Sequence, residues 1–236
     1  MRGVTTPFVE SFDDVGGSIV PLSTTSDGIV DGVVKDNVLL DHFLTPKELE
    51  DSIKHSFMLT SPESASDRSF VDPATEAEEK KKHAEEHANA LGAIARITSL
   101  ATASQKGKTK ANVRRCIETF GRHKTDLTYR PRPAINMSLL GGVPLPEKTP
   151  RAGPDTGSSE VQIAILTAKI RVLADRLEMR GGQKDKINKR NLRVMVHKRQ
   201  KLLRYLRTKE RGSDRWQKLV ETLGLGDATW QGEISL

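Results

Sequence analysis

The fold is decided by the stretch Lys184-Asp185-Lys186-Ile187-Asn188-Lys189-Arg190-Asn191-Leu192-Arg193-Val194-Met195-Val196-His197-Lys198-Arg199-Gln200-Lys201-Leu202-Leu203-Arg204-Tyr205-Leu206-Arg207-Thr208-Lys209. Leu192, Met195, Leu202 and Leu206 fall at helical spacing and predict one buried stripe. A helix over about 184 to 209 is roughly 40 Å long at ~1.5 Å per residue. It carries eleven bases, Lys184, Lys186, Lys189, Arg190, Arg193, Lys198, Arg199, Lys201, Arg204, Arg207 and Lys209, opposed only by Asp185. A solvated face usually mixes signs, and so many like charges destabilise a helix unless an anion neutralises them. Nucleic acid is the partner this helix predicts. Tyr205 stands among the bases, either to stack on a base or sugar or to cover the core.

Working outward, Gly181-Gly182 closes a preceding helix that opens after Asp155-Thr156-Gly157-Ser158. Ser158 is its expected N-cap, and Glu160 suits the positive end of its dipole. Ile163, Leu166, Ile170, Leu173 and Leu177 alternate three and four apart, a seam for packing other helices. The turn from Asp155 to Ser158 offers backbone N–H groups and short hydroxyls that can reach phosphates and ribose 2′-OH groups. Downstream, Trp216, Leu219, Val220 and Leu223 mark a short amphipathic helix stopped by Gly224. Upstream, Val113, Cys116, Ile117 and Phe120 repeat at i, i+3, i+4 and i+7, with Gly121 as the stop. Cys116 reads as a small core residue rather than a nucleophile.

The remaining segments are less regular. Residues 1–75 hold thirteen acids and five bases, a local charge of −8, against a surplus of fifteen positive charges in residues 76–236. The first 40 residues show no sustained period beyond short strands such as Gly28 to Val34, and their acids oppose the pattern of a mitochondrial transit peptide; a presequence, if the protein is imported, precedes this numbering. At Leu44-Thr45-Pro46-Lys47-Glu48-Leu49 a capping box and a Pro predict a short helix near 46–57. Its stripe of Leu49, Ile53 and Phe57 fits either its own chain or a partner's groove. Thr75 and Glu78 form a second box, opening a helix over 76–104. Six prolines between Thr125 and Pro154 predict an extended connector. The expected organisation is therefore all-α: an acidic extension (1–75), an extension helix (76–104), a helix over 108–123 that the resemblance given below makes the first of an RNA-binding module, a Pro/Gly-rich connector (124–155), a helical core (156–225) and a tail (226–236).

Several classes are excluded. One cysteine among 236 residues makes neither an internal disulfide nor a four-thiolate zinc site. No run of about 18 apolar residues occurs, so no membrane partner is expected. Aromatic-rich strand motifs and zinc-finger spacing are absent, which favours recognition of RNA by shape.

The run from Asp155 to Thr167, DTGSSEVQIAILT, followed by Arg199-Gln200-Lys201-Leu202-Leu203-Arg204-Tyr205-Leu206 and by Leu223-Gly224-Leu225, resembles the universal small-subunit ribosomal protein number fifteen family. Ile117 to Arg122 resembles the end of that family's first helix. The resemblance implies a four-helix module, a helix around 110–121 plus three in 158–223, that binds small-subunit ribosomal RNA at a three-way junction and supports subunit assembly and translation. The junction residues it implies are Thr156, Gly157, Gln162 and Tyr205, with Arg199 and Arg207 nearby; the reading of the turn and the basic helix adds Ser158, Arg190, Arg193 and Lys198. For a neighbouring shallow groove it implies Asp185, with Asn188 where the family has Ser, and Arg176 or Arg180 where it has His. A bridge to the large subunit through the loop at Gly212-Ser213 belongs to the same expectation. The long extension and proline-rich insertion resemble fungal mitochondrial members, and imply contacts between the extension and neighbouring ribosomal proteins. No cofactor, metal or catalysis is expected.

A rival comes from His83-Ala84-Glu85-Glu86-His87, which fits the H-x-x-E-H pattern of inverted zinc peptidases. The run lies among Glu and Lys without an apolar wall to exclude water, with no third-ligand motif downstream, and a solvated, ion-paired face is the reading it favours. A stand-alone RNA-binding factor is the remaining alternative.

Overall fold

The structure, a computed structural model, describes residues 3–13, 23–24, 30–31, 40–62, 72–129, 149, 151–179, 181–210 and 213–232. It contains eight α-helices among these residues: α1 (Pro7–Asp13), α2 (Pro46–Thr60), α3 (Pro73–Thr98), α4 (Gln105–Phe120), α5 (Arg122–Thr128), α6 (Ser159–Glu178), α7 (Lys186–Lys209) and α8 (Arg215–Leu223). Among the described residues the one sheet is an antiparallel pair of two-residue strands, β1 (Ser23–Thr24) with β2 (Val30–Asp31). The all-α class is as expected. Contacts divide the chain into two units, residues 1–14 with 112–236, and residues 15–111; the boundary falls within α4.

In the first unit α6 and α7 pack along each other, and α1, the second half of α4 and α8 close the core around them. Cys116, Phe120, Val161, Ile163, Ala164, Leu203, Leu206, Leu219 and Leu223 are buried together. Gly224 caps α8 in the left-handed region at φ 61°, where a residue without Cβ is unstrained. The buried stripe of α7 is shifted from the expected one. Val196, Leu203 and Leu206 are buried, whereas Leu192, Met195 and Leu202 flank them at intermediate exposure. Every third or fourth position of this helix is apolar, so the periodicity alone could not choose between adjacent registers.

Two further expectations are corrected. Residues 3–13 are not an irregular extension: α1 inserts Val9 and Phe12 into the same core, with Phe8 edge-on to Phe120 at 5.4 Å between ring centroids. Asn112 and Arg115 of α4 donate to the carbonyls of Phe12 and Ser11 at 3.2 and 2.8 Å. Residues 15–111 are thus inserted between the first and later elements of one module. The connector also begins later than expected, because α5 carries the chain helically to Thr128; residues 130–148 and Pro150 lie outside the described residues.

The second unit pairs α2 with α3. The capping box forms as expected, with Glu48 N donating to Thr45 Oγ1 and Thr45 N to Glu48 Oε2. Leu49 and Ile53 pack on Leu91, so this stripe is spent within its own chain. The start of α3 is corrected from Thr75 to Asp72, whose carboxylate caps Ala74 N ahead of Pro73 in the first turn. Proline at that position leaves only donors that an upstream acid can satisfy.

Candidate nucleic-acid interface

The expected junction residues converge although their sequence positions do not. A cleft of about 420 Å³ is lined by Gly157, Ser158, Ser159 and Gln162 from the start of α6, by Leu202, Tyr205, Lys209 and Glu210 along the end of α7, and by Arg122, Arg151 and Asp155. Thr156 is exposed on the same turn, and nothing stands within 4 Å of a Cβ built on Gly157, leaving backbone there open to a ligand. Tyr205 is 52% exposed, which settles its two readings against core cover, and Lys209 Nζ lies 5.3 Å from its ring centroid.

The turn is held by Asp155 rather than by its N-cap residue. Ser158 occupies the N-cap position with no capping bond from its side chain, and Asp155 Oδ1 accepts instead from Gly157 N and Ser158 N, at 3.2 Å each. Burial acts to raise the Asp155 pKa, but hydrogen bonds from the Arg122, Gly157 and Ser158 backbones outweigh it and hold the carboxyl below its usual range. Beneath the turn, Arg122 Nη2 donates to Glu160 Oε1 and to Glu210 Oε1, both at 3.0 Å. Arg215 joins this layer, donating to Thr125 Oγ1 at 2.9 Å and pairing with Asp126, which also receives Arg151 at 3.2 Å.

Arg199 is removed from the surface. It is 1% exposed, with Nη1 3.4 Å from Thr167 Oγ1, and burial lowers its pKa to about 10. Its neighbours in sequence share a basic helix, but position 199 turns inward while Lys198 remains exposed. Arg190, Arg193 and Arg207 are exposed as well. Arg207 lies away from the Tyr205 side, stacked on Trp230 with its guanidinium carbon 4.2 Å from the ring centroid. Residues 226–232 are therefore folded onto α7: Arg204 donates to the Trp230 and Gly232 carbonyls at 2.9 and 2.8 Å, and Trp230 meets Trp216 edge-on.

At the far end of α7, Asp185 is the N-cap and accepts from Asn188 through both backbone and side chain. Those two bonds, backbone first, depress the Asp185 pKa. The two expected groove residues thus engage each other, while Arg176 is exposed nearby; Arg180 and Gly212 lie outside the described residues.

Sequence reasoning missed Arg122, Arg151, Glu160 and Glu210 as parts of this site. Glu160 was read only as an acid favourable in a first turn, and its burial at 3% with Arg122 as partner places it in an ion-pair layer. The H-x-x-E-H run has a packing role: Phe57 sits against His83 and His87, with centroids at 4.9 and 4.8 Å, and His83 Nε2 is 2.9 Å from Thr60 Oγ1. No group of three His, Cys, Asp or Glu among the described residues could hold a metal ion, and no described helix is long and apolar enough to cross a membrane.

The described site is thus a polar cleft, lined by paired acids and bases, beside a helix whose exposed face is basic. Residues 145–226 match the family model described as ribosomal protein S15. Over its whole length the chain is 48% identical to the small ribosomal subunit protein uS15m of Neurospora crassa, covering 74% of that relative. The chain belongs to the ribosomal protein S15 family, a family of structural rather than catalytic proteins.

Proposed function

We propose that this chain is a structural component of the small subunit of the mitochondrial ribosome and that its cleft clasps a three-way junction of small-subunit ribosomal RNA. The observation that carries the reading is the convergence of Gly157, Ser158 and Gln162 with Tyr205 on one cleft, in a module whose longest basic helix forms a wall. Backbone N–H groups and hydroxyls at the turn suit ribose and phosphate, the exposed Tyr205 ring suits a splayed base, and Lys198, Arg190 and Arg193 supply charge along the flanking strands. Arg176, Asp185 and Asn188 face a neighbouring groove in this reading. Residues 15–111 contact neighbouring ribosomal proteins in this reading, and the loop before α8 approaches the large subunit.

The test is binding of the full chain to an RNA fragment holding the junction, beside a duplex of equal length. Preference for the junction, weakened by about 1 to 3 kcal/mol in Tyr205→Ala or Thr156→Val, supports the reading. Equal affinity for both RNAs contradicts it.

A further inference from the structure

The cleft has two walls from separate helices, and a single residue joins them. The backbone N–H of Arg122 donates to Asp155 Oδ2 at 3.1 Å, and Asp155 in turn holds Gly157 N and Ser158 N. The side chain of the same residue reaches Glu160 on the first turn of α6 and Glu210, which follows the last residue of α7, five positions beyond Tyr205. The two carboxylate side chains are 4% and 1% exposed and share one guanidinium nitrogen, so their accepting oxygens lie within about 6 Å of each other. Two buried like charges that close repel strongly unless a cation stays between them.

We infer that Arg122 is a positioning residue for RNA recognition: it sets the separation of the Gly157 turn and Tyr205 and preforms the cleft, without itself touching phosphate. This rests on the junction-binding reading above. Preformation matters because a cleft assembled only on contact loses affinity to the ordering of its own groups. Arg215 does not replace Arg122. Its Nη1 is 3.9 Å from Glu160, and its nearer partners are Thr125 and Asp126 on α5.

The experiment measures affinity and its salt dependence for the junction RNA with the full chain, Arg122→Gln, Arg122→Gln/Glu210→Gln, and Tyr205→Ala as reference. Arg122→Gln keeps the backbone bond to Asp155 but leaves Glu160 and Glu210 facing each other. The expected result is binding weakened about tenfold or more with an unchanged salt slope, since no phosphate contact is lost. The double variant removes the repulsion and should recover to within about threefold of the wild type, a rescue that loss of a direct contact cannot give. Wild-type affinity in Arg122→Gln, with Tyr205→Ala weakened, overturns the inference alone. A salt slope reduced by about one makes Arg122 a phosphate ligand and also overturns it. If the wild-type chain itself does not prefer the junction, the underlying reading falls and this inference with it.

Discussion

Gly3 and Gly224 meet where the start of the chain crosses the end of α8: a Cβ on Gly3 would lie 2.2 Å from the Gly224 carbonyl oxygen, and one on Gly224 would lie 2.0 Å from the Val4 carbonyl oxygen. Val4 N donates to Gly224 O at 2.8 Å, and Thr6 Oγ1 to Thr222 O at 2.6 Å, so the incoming strand satisfies carbonyls that the helix end leaves over. Gly224→Ala combines this clash with a positive φ and should cost about 1 to 3 kcal/mol by denaturant unfolding. Gly226→Ala, two residues on with nothing within 4 Å of its Cβ, should stay within about 0.5 kcal/mol of the parent. Equal effects of the two changes would mean that residues 3–13 do not dock as described.

Exposed and buried arginines of α7 should separate in RNA binding. Arg190→Gln should lower the salt slope of RNA affinity by about one while leaving thermal stability nearly unchanged. Arg199→Gln, altering a side chain that is 1% exposed, should lower the melting temperature and leave the slope alone. A slope change in the Arg199 variant would return that residue to the interface.

Cys116 has no exposed surface, and burial pushes its thiol up to about 12 from an ordinary value near 9. The native protein should therefore resist a disulfide reagent at pH 8 that labels the denatured chain at once. The linkage sign follows: between pH 9 and 12 the native thiol keeps a proton that the unfolded chain has lost. Its contribution to stability is thus complete below pH 9 and declines above it, by at most about 1.4 kcal/mol per pH unit. A Cys116→Ala variant should lack this component. Rapid labelling of the native state would place the residue outside the core.

His87 is buried against Phe57, and burial first, with the charge of His83 second, lowers its pKa below 6.5. Below pH 6.5 the unfolded chain binds protons that the folded α2–α3 pair resists, so the stability of this pair is full above that value and is lost as pH falls through it. Amide exchange in α2 should speed up between pH 7 and 5, after correction for the intrinsic rate, and His87→Phe should flatten the trend. An identical trend in that variant would assign the effect to other groups.

The helices were legible because caps, glycine stops and apolar periods are local. The capping box at Thr45 and Glu48, the stop at Gly224 and the place of Cys116 all depend on neighbours within a turn or two. What escaped was set by distant residues. Nothing near Pro7 announces that Val9 and Phe12 complete a core more than 100 residues away, and an acidic, aperiodic start reads as solvent-facing. The same limit applied at the site. The Gly157 turn and Tyr205 were legible as separate candidates and were joined in one site through resemblance, but their ion-pair floor was not legible, because Arg122, Glu160 and Glu210 become partners only when three helix ends meet. Arg199 shows the converse: a basic side chain in a basic helix gives no local sign that its position turns inward.

As proposed above, this chain is a primary RNA binder of the mitochondrial small subunit. Sedimentation of the tagged native protein from a mitochondrial lysate, through a gradient that resolves ribosomal subunits at moderate and then high salt, tests it most directly. Comigration with the small subunit should persist at high salt, because the proposed contacts are held in a preformed cleft as well as by surface charge. A slow free pool with no subunit peak would contradict it.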